Sequence, residues 1–373
     1  MSERGGARDS SAAGRTAPEA KPAPSEGAPS GPGASGAPPS LTGARGVLAP
    51  VVIALLISVF FVTLFLLAFR SPTPHDLRVG ITGPSSASRQ LQQLLADRAP
   101  GALDLHDYSD PDSAQAAVEH RDVYAALVIE GDRWTLLVAG ANGSALTLAL
   151  QGQLQPAAAA TGAQLAVRDL VPRAPGDGSG LAIFYAAFGL VLGGFLFGVN
   201  TYQVAPRLTF RARMASVALF GPLCGVGAAT ASHALDAMNG SFLANAAVLT
   251  LIATAVGMAT AMMLRVFGLL GITLGSMLLL TLGNAASAAV FPPALLPGWL
   301  EPFAYILPPG AGVRALAGAS YFDGGGVGPG VAVLLAWIAL SASIIFAFDR
   351  RAATRVRTRE HLQSPAVVGE EAS

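Results

Sequence analysis

The residues able to do chemistry are few, and none stands at a catalytic spacing. His75, His106 and His120 share one segment of soluble composition without the HExxH pairing of a zinc site. A surface or loop role accounts for each. Asp104, Asp107, Asp110 and Asp112 cluster, but not in the pattern of an EF-hand calcium loop, and a solvated loop with a helix cap suits them better. Gly83, Pro84, Ser85 and Ser86 follow a predicted strand as a turn. A phosphate loop needs GxxxxGK[ST], and the only lysine, Lys21, has no such context, so this chain cannot hydrolyse ATP by a P-loop mechanism. Cys224 is the single cysteine and lies in an apolar run, where a buried inert thiol is expected. No catalytic, cofactor-binding or metal-ligating residue is assigned, no cofactor is expected, and the chain is read as a non-enzyme.

Composition turns attention to the membrane. Of 373 residues, 52% are hydrophobic and only 12% charged, too apolar for an ordinary soluble protein and suited to several spans. The formal net charge is zero, so electrostatics point to no nucleic-acid partner. Arginine supplies nearly all the cations, beside much alanine and glycine, which suggests a GC-rich bacterial genome of actinobacterial type.

Residues 47–69 (VLAPVVIALLISVFFVTLFLLAF) carry no charge and are long enough to cross about 30 Å of hydrocarbon as a helix. Arg45 precedes this stretch and Arg70 follows it. Arg4, Arg8, Arg15 and Lys21 place the N-terminal side in the cytoplasm by the positive-inside bias. A cleaved signal peptide would have a shorter apolar region and a small-residue cleavage pattern after it, so an uncleaved signal-anchor is the reading. Residues 1–45 are rich in Ala, Gly, Pro and Ser and are expected to form a disordered cytoplasmic tail. Helix 1 occupies 46–70. Further spans are predicted at 181–199, 214–235, 242–264, 266–290 and 327–348, within a five-helix membrane domain over 181–349. Arg207, Arg211 and Arg213 mark one inside loop, Arg265 an inside turn, and Arg350, Arg351, Arg355, Arg357 and Arg359 an inside basic tail, 350–373. The expected protein is thus a polytopic α-helical membrane protein with six transmembrane helices. It lies in the lipid bilayer of a bacterial plasma membrane, with both termini cytoplasmic.

Between helices 1 and 2, residues 71–180 have soluble composition and predict an extracytoplasmic mixed α/β (α+β) domain. Its elements run β-α-β-α-β-β-α-β. Asp110 is a plausible cap for a helix with Pro111 at its first position. Glu130–Arg133 is a hairpin turn, Pro156 should end or kink a helix over 144–155, and 172–180 (PRAPGDGSG) is a flexible linker. Leu127, Val128, Ile129, Leu136 and Val138 are its expected core, and the domain is expected to fold alone. Near the other end, residues 291–326 are broken by prolines and read as an outer re-entrant or interfacial element. Trp299, Phe303, Tyr305, Pro308 and Pro309 belong to it.

Within the spans, Gly189 with Gly193 and Gly194 with Gly198 form two successive GxxxG patterns. Packing inside one bundle is preferred for them over a homodimer seam. Ionisable residues are nearly absent from span interiors, which counts against ion-coupled transport. Asn245 and Asn284 are expected to bond neighbouring helices. The inside loop 200–213 (NTYQVAPRLTFRAR) is short, basic and half apolar. A short helix could begin at Pro206, with Leu208, Phe210 and Met214 on its apolar side and Arg207, Arg211 and Arg213 on its polar side. Docking of a cytoplasmic partner and a purely topological role for these arginines both remain open.

The layout resembles the ABC type-2 permease superfamily, and within it the phage infection protein (Pip)-like group. The resemblance runs from about residue 48 to 351 and is carried by 124–143 (YAALVIEGDRWTLLVAGANG), 169–180 (DLVPRAPGDGSG) and 306–322 (ILPPGAGVRALAGASYF). It implies a permease subunit exporting a lipid, polymer precursor or hydrophobic compound, powered by a separate ATPase chain that contacts 200–213. The alternative is a non-transporting envelope protein whose outer domain binds a ligand, protein or phage.

Overall fold

The computed structural model describes residues 44–69, 74–98, 100–289 and 292–363. The expected N-terminal tail up to position 43 and the end of the basic tail from 364 lie outside the described residues. Two units are distinguished, Met1–Val52 and Ile53–Ser373. Within the first, the described residues are the opening turns of helix α1 (Ala44–Phe69). The second holds the rest of that helix and every other element.

Among the described residues, five helices are long and apolar enough to cross a membrane: Val51–Phe69 of α1, α5 (Ala182–Gln203), α6 (Phe210–Ala234), α7 (Phe242–Phe267) and Val327–Ala352 of α12 (Val327–Gln363). The chain is a multi-pass, mostly helical membrane protein. The span expected over 266–290 takes a different form. Gly268, at φ 61°, turns the chain after α7. The chain then forms α8 (Leu270–Gly275), a π-helical stretch Ser276–Leu282 and α9 (Gly283–Ala285), of 6, 7 and 3 residues. At 1.5 Å per residue that rises about 24 Å, short of a hydrocarbon core of roughly 30 Å. The expected boundaries failed because apolar composition continues past Ala285, where helical geometry stops.

α7 is the central helix. Nearly four-fifths of its apolar window is buried, against 44% for α5 and 17% for the last span. Small residues allow this burial: Ala253, Ala255, Gly257, Ala259 and Ala261 let α5, α6 and α12 approach its backbone. α11 (Pro308–Tyr321) completes the bundle. Pro308 and Pro309 occupy its first turn, where a missing N–H costs little. Asn245, fully buried, accepts a hydrogen bond from Ser320 Oγ of α11 at 3.0 Å and donates to Asn239 O at 2.7 Å. Asn284 instead donates to Leu280 O within its own stretch, 2.8 Å away, contrary to the expected bond across helices.

Between α1 and α5 lies a five-stranded mixed sheet, ordered β2-β1-β3-β4-β5. The strands are β1 (Leu77–Thr82), β2 (Leu103–Asp107), β3 (Ala125–Glu130), β4 (Arg133–Val138) and β5 (Gln164–Asp169). β1 runs parallel to β2 and β3, β3 and β4 form an antiparallel hairpin, and β4 is parallel to β5. Gly131, at φ 62°, makes the hairpin turn. α2 (Ser85–Arg98) and α4 (Ser144–Ala160) share one apolar cluster with the sheet, through Leu91, Leu95, Leu146, Leu150 and Leu154. α3 (Pro111–Glu119) packs in another, with Ala126, Val128 and Leu137. Asp110 caps α3, its carboxylate accepting from Ser113 N–H at 2.8 Å. Pro156 does not end α4; the helix continues to Ala160 because Ala157 and Ala158 are buried in the sheet core.

The core of this sheet domain does not close on itself. Leu295, Leu296, Leu300 and Ala304, from beyond the bundle's middle helices, complete the cluster on the α2–α4 side, and Phe322 completes the cluster under α3. Polar links run alongside. His75 N donates to Ala294 O at 3.1 Å, and the His75 ring lies 3.0 Å from Glu301. Residues 172–180 are not a free tether either. Gly176 N donates to Asp236 O at 2.8 Å, and the buried Asp177 carboxylate accepts from Leu181 and Ala182 N–H at 2.9 and 3.1 Å, capping α5. Sequence composition alone marked this segment as flexible; an aspartate that caps the next helix holds it down.

Candidate functional site

The expected coupling loop is shorter and tighter than its sequence suggests. α5 runs to Gln203 and α6 begins at Phe210, so no separate helix starts at Pro206. Thr209 caps α6 instead, its hydroxyl accepting from Ala212 N–H at 3.3 Å. A hydroxyl two residues before Arg211 satisfies the orphan donors better than a proline start would. Arg207 and Arg211 are exposed, and Pro206 is exposed beside them. Leu208 is half-buried. Phe210 meets Phe346 of α12 edge-on, with ring centres 5.2 Å apart.

Arg213 departs most from expectation. It is 3% exposed and cannot belong to a polar surface. Its guanidinium lies 3.7 Å from the centre of the Tyr202 ring, and its Nη2 donates to Leu208 O at 3.5 Å. It staples the end of α5 to the start of α6. Nearby, Arg265 Nε of α7 donates to Asp349 Oδ1 of α12 at 2.6 Å. The turn therefore sits on a fixed base, with Arg207 and Arg211 pointing away from it. Tyr202 and Asp349 were not singled out from the sequence. The signal for Asp349 was legible: a lone acid directly before a run of arginines at the end of an apolar span.

The two glycine pairs of α5 separate. A side chain at Gly194 would press on the α7 backbone at Ala253 and Gly257, and one at Gly198 would strike Thr260 and Gly257. These positions are the α5–α7 contact. Gly189 and Gly193 have open space before them, and Gly189 lines a mostly apolar cavity of about 460 Å³ between the first half of α5 and the last turns of α6.

The proline-broken element over 291–326 also divides. α10 (Glu301–Ile306) exposes Trp299 just before it and Tyr305 within it, as interfacial aromatics require. Phe303 turns instead into the sheet-domain cluster. Pro308 and Pro309 are buried, Pro309 against Gly283, so they pack the bundle interior and are not interfacial. Tyr305 is nonetheless partly covered, and this partial burial pushes its phenol up to about 12, with Tyr124 and Glu301 adding to the effect. Among the described residues, no group of three or more His, Cys, Asp or Glu is arranged to hold a metal ion.

No family model matches the chain, and no curated protein or solved structure is significantly similar to it.

Proposed function

We propose that this multi-pass protein is the membrane permease subunit of an ABC type-2-like exporter, powered by an ATPase supplied as a separate chain. The observation that carries the reading is the α5–α6 turn: Arg207 and Arg211 are exposed on a connection held rigid by Arg213 and Tyr202. A permease must pass the closing of its ATPase to the spans through a stiff contact, and this turn joins two spans without slack. Its cations suit an acidic groove on a partner. The substrate is a lipid, a polymer precursor or another hydrophobic compound, in keeping with the apolar cavity beside Gly189. The Gly193 side of α5, which does not line that cavity, is the edge offered to a second copy in a homodimer.

The proposed topology has both termini in the cytoplasm, six passes counting the broken α8–α9 stretch, and the sheet domain outside a bacterial plasma membrane. Arg207, Arg213, Arg265 and Arg350 supply the inside bias. Single cysteines at Ser113 and Ser364 in a Cys224→Ala background test this in intact cells. An impermeant thiol reagent should label 113 and spare 364. For the ATPase, an Arg207→Gln/Arg211→Gln double variant should reach the membrane at normal level and lose the nucleotide-binding subunit on pull-down. A wild-type chain that retains no such subunit, in mild detergent or by in-cell crosslinking, removes the support for export. The reading as an envelope binding protein then leads.

A further inference from the structure

Three arginines from three parts of the chain meet around one cavity of about 230 Å³ where the sheet domain packs on the bundle. Arg78 comes from β1, Arg121 from the turn after α3 and Arg314 from α11. Tyr124 and Tyr305 wall the cavity, and Pro329 near the start of α12 closes it. Among the described residues, no carboxylate lines it. Glu301, which lies against the cavity-wall residue Tyr305, is engaged by His75 at 3.0 Å and by the Tyr305 hydroxyl at 3.4 Å. Among the described residues, none of the three arginines forms an ion pair.

Two of these guanidiniums are held by backbone carbonyls and the third is not. Arg121 Nη1 donates to Arg314 O at 3.1 Å, and its charge lies 5.0 Å from the centre of the Phe322 ring. Arg314 Nη1 donates to Ala304 O at 2.7 Å and stacks 4.2 Å from the Tyr305 ring centre. Each keeps further N–H groups to offer. The Arg78 guanidinium makes no hydrogen bond among the described residues and only faces Tyr124 at 5.9 Å, while its backbone carbonyl accepts from Tyr124 N–H at 3.0 Å. Burial pulls the Arg121 guanidinium below its ordinary value, and the like charge of Arg314 adds to this. Uncompensated like charges around a shared cavity raise its energy, and an anion placed there relieves it.

We propose that this cavity binds a phosphate group, carried either by a lipid headgroup or by a soluble phosphate. Guanidinium forks match phosphate oxygens two at a time, and forks arriving from three directions suit a tetrahedral oxyanion better than a planar carboxylate. The cavity has room for on the order of seven waters at ~30 Å³ each, enough for a phosphate with part of its ester substituent. It lies beside the first turns of α12 and beside Tyr305, the level at which a span leaves hydrocarbon and headgroups lie. The site needs no ATPase partner, so its failure and the failure of the export reading are separately visible.

The test uses the full chain in nanodiscs. In one arm, melting is compared between phosphatidylcholine nanodiscs and nanodiscs containing phosphatidylglycerol, and a short-chain phosphatidylglycerol is titrated. In the other arm, inorganic phosphate and diphosphate are titrated against the protein in phosphatidylcholine alone. Arg78→Gln is the informative variant, because Arg121 and Arg314 also hold backbone carbonyls. Its melting without ligand should match the wild type; Arg78→Lys replaces it if it does not fold. Stabilisation by the anionic lipid alone assigns a headgroup, by free phosphate alone a soluble ligand, and by both the shared chemistry. In each case the variant should bind about tenfold more weakly, the loss of one charge-assisted contact. No stabilisation in either arm, or equal binding by the variant, overturns the proposal.

Discussion

Arg213 lies over Tyr202, its guanidinium carbon 3.7 Å from the ring centre, at the corner where α5 turns into α6. Of the three arginines in that stretch, this one builds the turn and the other two decorate it. The consequence is a sharp division of labour between neighbours in sequence. Arg213→Ala should lower the melting temperature in detergent by several degrees, since a desolvated cation–π contact contributes about 2 kcal/mol and packing is lost with it. Arg207→Gln and Arg211→Gln should leave it unchanged. Equal effects of all three would show that Arg213 is not a structural staple.

The glycines of α5 should likewise divide into two classes. Gly198→Ala forces a methyl group against Thr260 and the Gly257 carbonyl, and Gly194→Ala presses on the α7 backbone. Overpacking of this kind costs about 1–3 kcal/mol. Gly189→Ala and Gly193→Ala meet open space and should be neutral to stabilising in the isolated protomer, by up to about 1 kcal/mol of helix propensity. Thermal melts of the four single variants check this, and a large loss at Gly193 with none at Gly198 would contradict the packing.

The sheet domain should not survive excision. Residues 71–175 alone would leave the α2–α4 cluster without Leu295, Leu296 and Leu300, and the α3 cluster without Phe322. Completing a core from distant sequence makes the two parts one cooperative unit. Heat denaturation of the fragment should give a broad, non-cooperative trace. A sharp melt near that of the whole protein would show that the bundle residues only cover a finished core.

The cap of α3 should respond to acid. The Ser109 hydroxyl and then the Ser113 N–H hold the Asp110 carboxyl below its ordinary value of 3.8. A lowered folded value means the contribution is complete above the unfolded value and is lost as pH falls through the folded one. At pH 7, Asp110→Ala should speed amide exchange over 111–119, and the difference from wild type should close as the pH drops below 3.8. Equal exchange at pH 7 would remove the cap from the account.

Membrane character was legible in the sequence because lipid imposes length and apolarity residue by residue, with no need for a partner. Residues 182–203, 210–234 and 242–267 announce themselves in that way. The hairpin at Gly131 and the cap at Asp110 were legible for the same reason, since turns and caps are settled by a few adjacent residues. Long-range contacts decided the remainder. Pro156 stays inside a helix because Ala157 and Ala158 are buried against strands elsewhere in the chain. Arg213 leaves the surface because Tyr202 waits across a turn, and Phe322 becomes core because α3 stands over it. Arg78, Arg121 and Arg314 are scattered over more than two hundred positions, and no spacing in the sequence links them. Only the docking of β1, the α3 turn and α11 brings them around one cavity, because convergence of charge depends on distances through space that sequence spacing does not carry.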